Sequence, residues 1–154
     1  MRKAIEEYNM IQEGDRIAVG VSGGKDSLTL LLGLKRLQSF LPRNFELEAI
    51  TLTMGIGEFD ISPIKQFCED IDVNFTVRET QIGKIIFDIR QEKNPCSMCA
   101  NLRRGALHNV AKELNCNKVA LGHHKDDAIE TLLLSMFYEG RIHSFSPVTY
   151  LHRK

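Results

Sequence analysis

The 154-residue chain has no tryptophan, only four prolines and only four cysteines. So few cysteines exclude a disulfide-stapled mini-protein. No apolar run approaches the roughly 20 residues that span a bilayer, so no membrane association is expected. The opening MRKAIEEYNM lacks the apolar stretch of a secretory signal, which makes the cytoplasm the expected location. Thiols stay reduced there, and a close cysteine pair points to metal or redox chemistry. An excess of one charge is also missing, because 20 Lys and Arg meet 20 Asp and Glu. That balance argues against a strongly basic nucleic-acid binder overall. The halves differ, however. Residues 1–77 hold 8 basic and 12 acidic side chains, and residues 78–154 hold 12 and 8. The second half could help hold a polyanion, or the asymmetry could be chance. With 43% hydrophobic and 26% charged residues, the chain has the composition of a globular domain rather than a disordered one.

What is present is an alternation of strand-like and helix-like segments. Residues 1–13 carry apolar Ile5, Tyr8, Met10 and Ile11, which predicts an amphipathic helix. Arg16–Val21 is a short apolar run that fits a buried parallel strand. Residues 25–39 repeat leucine at helical spacing, with Leu28, Leu31, Leu32, Leu34 and Leu37. Further strands are expected at Leu47–Thr53, Val73–Val77 and Lys118–Leu121. Helices are expected from Ser62 to about Asp70 and over Ile82–Arg90, 98–115 and Asp126–Tyr138. The tail from Gly140 shows no clear period. The alternation predicts an α/β domain over 1–154, a parallel sheet with helices on both faces. Ligand sites in such sheets lie at the carboxyl ends of the strands.

Gly20-Val-Ser-Gly-Gly-Lys-Asp-Ser27 joins the first strand to its helix. Glycines let backbone N–H groups approach an anion, and the helix start adds positive potential. Lys25 adds a charge, and Ser22 and Ser27 add hydroxyls. The loop is not a Walker A motif, which would place glycine at Val19 and serine or threonine at Asp26. Nor does it have the G-x-G-x-x-G spacing of a dinucleotide fold. An aspartate beside phosphates calls for a bridging divalent cation, so Asp26 suggests Mg²⁺. A plain serine-capped glycine turn is the bland alternative. Ser22-Gly-Gly-Lys-Asp-Ser27 resembles the signature of the PP-loop ATP pyrophosphatases. That resemblance implies a Rossmann-like fold of the adenine nucleotide alpha-hydrolase type. It also implies cleavage of ATP to AMP and pyrophosphate, with the loop holding the pyrophosphate.

Two other segments carry chemistry. Pro95-Cys-Ser-Met-Cys99 enters a helix that bears Arg103 and Arg104. Helix-start N–H groups and nearby arginines favour thiolate. Zinc usually wants two such pairs, a thioredoxin-like dithiol usually follows the first strand, and an iron–sulfur cluster takes cysteine thiolates. Two structural cysteines would be the bland reading. Cys68 and Cys116 read as free, buried thiols. Gly122-His-His-Lys-Asp-Asp-Ala-Ile-Glu-Thr131 follows the fourth strand. Asp127 could orient Mg²⁺, Glu130 reads as a helix-dipole partner, and His123 and His124 could contact phosphate or move protons.

The three motifs together, with Leu102-Arg-Arg-Gly105, Asn9-Met-Ile11 and Met136-Phe-Tyr-Glu-Gly140, resemble the tRNA-cytidine 2-sulfurtransferase (TtcA) group of PP-loop enzymes. The resemblance covers essentially the whole chain. It implies adenylation of a cytidine C2 carbonyl oxygen in the tRNA anticodon loop, followed by sulfur transfer. Implied cofactors are ATP, Mg²⁺ and a 4Fe-4S cluster; implied partners are tRNA, a sulfur donor (cysteine desulfurase or sulfide) and a second copy of the chain. Carried onto this sequence, Lys25, Asp26 and Asp127 are the expected catalytic residues. Ser22, Gly23, Gly24, Lys25, Asp26, Ser27, Thr53 and Gly122 are the expected ATP site, and Cys96 and Cys99 the expected cluster ligands. The family's third cluster cysteine falls beyond the position equivalent to Lys154, so the chain looks like the N-terminal part of a longer enzyme. A truncated or regulatory ATP-binding module without turnover is the alternative. A PP-loop ligase that amidates an acid is a third reading, against which the cysteine pair argues.

Overall fold

A computed structural model describes residues 1–55, 59–88, 95–123, 125–140 and 142. Residues 1–122 and 123–154 form two compact units.

The first unit contains α1 (Arg2–Glu7), β1 (Asp15–Gly20), α2 (Lys25–Gln38), β2 (Phe45–Thr53), α3 (Ser62–Asp70), β3 (Asn74–Glu79), α4 (Ile82–Asp88), α5 (Pro95–Glu113) and β4 (Lys118–Ala120). The four strands make one parallel sheet in the order β3-β2-β1-β4. The register places Ile17 opposite Leu47 and Lys118, so the most apolar strands are central. Alternation along β1 and β2 feeds two cores. Ile17, Val19, Leu47 and Ala49 face Ile5 of α1, Leu31, Leu34 and Leu37 of α2, and Ile64 and Cys68 of α3. Ala18 and Ile50 face Leu107, Val110 and Ala111 of α5. Helices cover both faces because both faces of a parallel sheet are apolar.

Strand order fixes where a ligand can sit. The chain winds outward from β1 through β2 to β3, then returns to β4 on the other side of β1. The carboxyl ends of β1 and β4 therefore flank the point where winding reverses, the usual crevice of such sheets.

The amino edge of the sheet is pinned by buried polar groups that the sequence pattern did not reveal. The Asp15 carboxylate accepts hydrogen bonds from Lys118 Nζ, Asn117 Nδ2 and the Gln12 N–H. Burial alone would raise its pKa, but these donors outweigh that and hold it below the ordinary aspartate range. Glu48, in mid-strand, accepts from Arg16 at 3.3 Å and Thr76 at 2.9 Å.

One expected element is shorter than its apolar pattern suggests. The helix over 1–13 stops at Glu7. Asn9 takes a positive φ of 47°, and Met10 N–H bonds back to Ile5 O, closing the helix end. Tyr8 and Met10 are left exposed, while Ile11 is buried. The expected helix over Ile82–Arg90 is present to Asp88, and Ile89 and Arg90 lie outside the described residues. Of the tail from Gly140, residues 141 and 143–154 also lie outside them.

The second unit holds α6 (Lys125–Glu139), which opens with Asp126 and Asp127 in its first turn. Such acids complement the positive end of a helix dipole.

Candidate functional site

β1 ends in a loop held from three directions. The Val21 N–H continues the ladder to Ile50 O at 2.8 Å. The Val21 carbonyl accepts the hydroxyl of Thr51, a residue only 1% exposed, at 2.8 Å. Gly23 turns with φ of +80°, a conformation that disfavours any residue with a Cβ. Gly24 is the extended N-cap of α2.

Inside the loop, Ser27 Oγ donates to Gly24 O at 2.9 Å and accepts the Ser22 N–H at 3.2 Å. Ser22 Oγ lies 3.3 Å from Ser27 Oγ and accepts the Gly24 N–H at 3.4 Å. Ser22, Gly23, Gly24 and Lys25 are exposed, Asp26 is half-buried and Ser27 is buried. The loop thus offers solvent a glycine backbone, a hydroxyl and an ammonium at the positive end of a 14-residue helix. An anion such as pyrophosphate suits that combination.

Gly122, at the end of β4, closes the other side. A Cβ there would stand 2.9 Å from Ser27 N and 3.0 Å from the Asp26 carbonyl carbon and oxygen. Only glycine allows that backbone approach. Thr53 ends β2, one strand along the same edge. Its carbonyl accepts both the N–H and the hydroxyl of Thr80, at 3.0 and 2.7 Å. The structure therefore gathers Ser22–Ser27, Thr53 and Gly122 at the carboxyl edge. Thr51 was missed from sequence, although a threonine between Ile50 and Leu52 in a buried strand was a usable signal.

α5 runs antiparallel to β1. Its Leu107 Cδ2 lies 3.0 Å from the Cβ position of Gly20, at the carboxyl end of β1. Past its far end, Asn117 N–H bonds to Arg16 O at the amino end. Cys99 is eight residues before Leu107, about 12 Å farther toward the carboxyl side at 1.5 Å per residue. Cys96 and Cys99 are the second and fifth residues of α5, a spacing that shares one helix face. Cys99 is half-buried and unbonded to another sulfur. Arg103 and Arg104 are exposed on the same helix.

The other two cysteines cannot join the pair. Cys68 is fully buried in α3, and burial pushes its thiol up to about 11. Cys116 sits beyond the opposite end of α5, where burial raises its pKa and Arg16 partly opposes the rise. Seventeen residues of mostly helical chain separate Cys116 from Cys99, roughly 25 Å of rise. Among the described residues no group of three or more His, Cys, Asp or Glu side chains is placed to hold a metal ion. By chemistry and sequence spacing, the Cys96 and Cys99 thiols suit two thiolate ligands of an iron–sulfur cluster.

In the second unit, His123 is exposed, Asp127 is half-buried in the first turn of α6, and Glu130 is exposed one turn on. The Thr131 hydroxyl donates to Asp127 O at 2.7 Å, a bond within the helix. His124 lies outside the described residues.

The chain is similar to proteins of known name. A tRNA-cytidine(32) 2-sulfurtransferase of Pectobacterium carotovorum is 44% identical over 146 residues, 94% of this chain and 47% of that protein. The enzyme of the same name from Tolumonas auensis is 42% identical over 94% of this chain and 48% of its own length. This chain spans about half the length of those relatives. Among solved structures, the U34-tRNA thiolase NcsA of Methanococcus maripaludis, determined with its 4Fe-4S cluster, superposes with a TM-score of 0.74. It is 28% identical, over 92% of this chain and 49% of that one. Residues 1–150 match the PP-loop domain. With the glycine loop at the reversal point of a parallel sheet, that match makes the chain a member of the PP-loop family.

Proposed function

We propose that this chain is the ATP-activating part of a tRNA thiolation enzyme, acting on the C2 carbonyl oxygen of a cytidine in the anticodon loop. The observation that carries the reading is the Ser22–Ser27 loop, braced against Gly122 at the carboxyl edge of the sheet. The named functions of the relatives agree with it.

The chemistry follows from the residues. The loop N–H groups, Ser22 and Lys25 bind the β- and γ-phosphates of ATP, and the adenosine lies toward Thr53. Asp26 would hold Mg²⁺, which would offset the repulsion between its carboxylate and the phosphates. The cytidine O2 attacks the α-phosphorus, a P–O bond forms, and the bond to the β-phosphate breaks with release of pyrophosphate. Lys25 stabilises the charge that develops on the leaving group. The carbonyl oxygen, a poor leaving group before, can now depart as AMP when a sulfur nucleophile adds to C2. A 4Fe-4S cluster would supply the sulfur-transfer chemistry, with Cys96 and Cys99 as two of its ligands. Exposed Arg103 and Arg104 fit contacts to the tRNA backbone.

The partners that complete this reading are tRNA, sulfide or a cysteine desulfurase as donor, and a second copy of the chain. We place the protein in the cytoplasm and read 1–154 as the N-terminal portion of one longer PP-loop domain. No helix of the described residues is long and apolar enough to cross a membrane.

A second reading starts from one observation, that among the described residues no group of three or more His, Cys, Asp or Glu side chains is placed to hold a metal ion. In it, the chain binds ATP without turnover. Mass spectrometry of tRNA incubated anaerobically with the iron-reconstituted chain, ATP, Mg²⁺ and sulfide separates the two. The thiolase reading expects 2-thiocytidine that depends on ATP. Bound ATP with no 2-thiocytidine favours the module.

A further inference from the structure

We infer that the outer face of α5 is a track for an RNA backbone, on which Arg104, His108 and Lys112 hold the tRNA strand that leads away from the target nucleotide. The inference rests on the reading that the substrate is tRNA.

One face of α5 packs on the sheet, with Leu107, Val110 and Ala111 against Ala18 and Ile50. Away from that contact, the helix exposes Asn101, Arg104, Gly105, His108, Asn109 and Lys112. Arg104, His108 and Lys112 recur at every fourth residue, so they stand in one row with steps of about 6 Å. Asn101, Gly105 and Asn109 form the row beside it. No carboxylate interrupts either row. The one acid among residues 101–113 is Glu113, and it pairs with Arg78. Among the described residues, Arg104, His108 and Lys112 form no ion pair. A chain with 20 basic and 20 acidic side chains thus leaves one helix face cationic and open to a partner of opposite charge.

Gly105 is an independent sign of that partner. A Cβ there would meet nothing within 4 Å, so packing inside the chain does not call for glycine. Glycine also weakens a helix interior relative to alanine. Its bare backbone, with Asn101 and Asn109 one turn away on either side, lets a ligand strand come close. Phosphate oxygens accept hydrogen bonds from arginine, lysine and asparagine, and a carboxamide also suits a ribose 2′-hydroxyl. Cations at a regular step fit a strand with a charge at every repeat, which an acidic peptide has only by composition. The row starts five residues after Cys99 and runs toward the amino edge, because α5 is antiparallel to β1. A strand on it therefore leads away from the carboxyl edge, where the Ser22–Ser27 loop sits.

Equilibrium binding of tRNA to the chain, measured between about 50 and 200 mM KCl, tests this. Arg104→Gln and Lys112→Gln should each weaken binding severalfold and reduce the slope of log affinity against log salt by about one. Lys65→Gln, on α3, should leave both unchanged. Gly105→Leu should raise the melting midpoint, since leucine favours helix and has open space, yet weaken tRNA binding about tenfold by blocking close approach. Misfolding cannot produce that pair of results. Affinity for ATP with Mg²⁺ should hold in every variant. Wild-type salt slopes in both charge variants, with tRNA still bound by the wild-type chain, would overturn the track and leave the thiolation reading standing. Unchanged tRNA affinity in Gly105→Leu would overturn the track as well. A wild-type chain that binds ATP but no tRNA at the lower salt would overturn the tRNA reading itself, and the track with it.

Discussion

Gly122 at the end of β4 lies against Ser27 in the first turn of α2, so close that a Cβ at 122 would stand 2.9 Å from the Ser27 nitrogen. The contact is backbone to backbone, and no flexible side chain can give way. Gly122→Ala should therefore displace the start of α2 and the loop it closes. ATP affinity is expected to fall at least tenfold, with a stability loss of about 1–3 kcal/mol from overpacking. Calorimetric titration and urea melts would check both, and wild-type affinity in the variant would refute the approach.

Thr51→Val keeps shape and removes the buried hydroxyl from the Val21 carbonyl. A buried acceptor that loses its donor costs about 1–3 kcal/mol. The urea midpoint should fall accordingly, and ATP binding should weaken because the loop entry is no longer fixed. A midpoint equal to wild type would show that the bond contributes nothing.

Acid should unfasten the amino edge of the sheet. The Asp15 pKa is depressed in the folded state against burial, by Lys118, Gln12 and Asn117. Its contribution is then present above the unfolded aspartate value of roughly 3.9 and is lost as pH falls through the lower folded value. Stability measured from pH 6 down to pH 2 should drop in that window. In Lys118→Met the buried carboxylate loses its cation, so stability at pH 7 should fall by about 3 kcal/mol and the acid-dependent drop should shrink. An unaltered acid profile in the variant would remove Lys118 from the account.

Thiol reactivity should divide the cysteines. Cys68 is fully buried and its pKa is pushed up to about 11, so it should resist alkylation at pH 8 until the protein unfolds. Half-buried Cys99 should react well before Cys68, and anaerobic reconstitution with iron and sulfide should protect it. Peptide mass spectrometry gives the order. Protection of Cys116 instead would move the cluster away from α5.

The strands and helices of the first unit were legible because their signals are local and agree. Leucines at helical spacing drew α2, and apolar runs drew β1 and β2. The loop motif was legible for the same reason, since Ser22–Ser27 is contiguous. α1 was overextended because apolar spacing continues past Glu7 while Asn9 adopts a left-handed turn that spacing does not encode. What was hidden depends on distant pairs. Lys118 and Asp15 are 103 residues apart, and Thr51 and Val21 are 30 apart.

The most direct test of the central claim is the fate of ATP labelled at its α-phosphate, incubated with Mg²⁺ in the presence and absence of tRNA. Cleavage between the α- and β-phosphates predicts free pyrophosphate with the label carried on tRNA and released as AMP when sulfide is added, all dependent on tRNA and lost in Asp26→Asn. Labelled ADP, or ATP bound and returned intact when tRNA is present, would contradict the account.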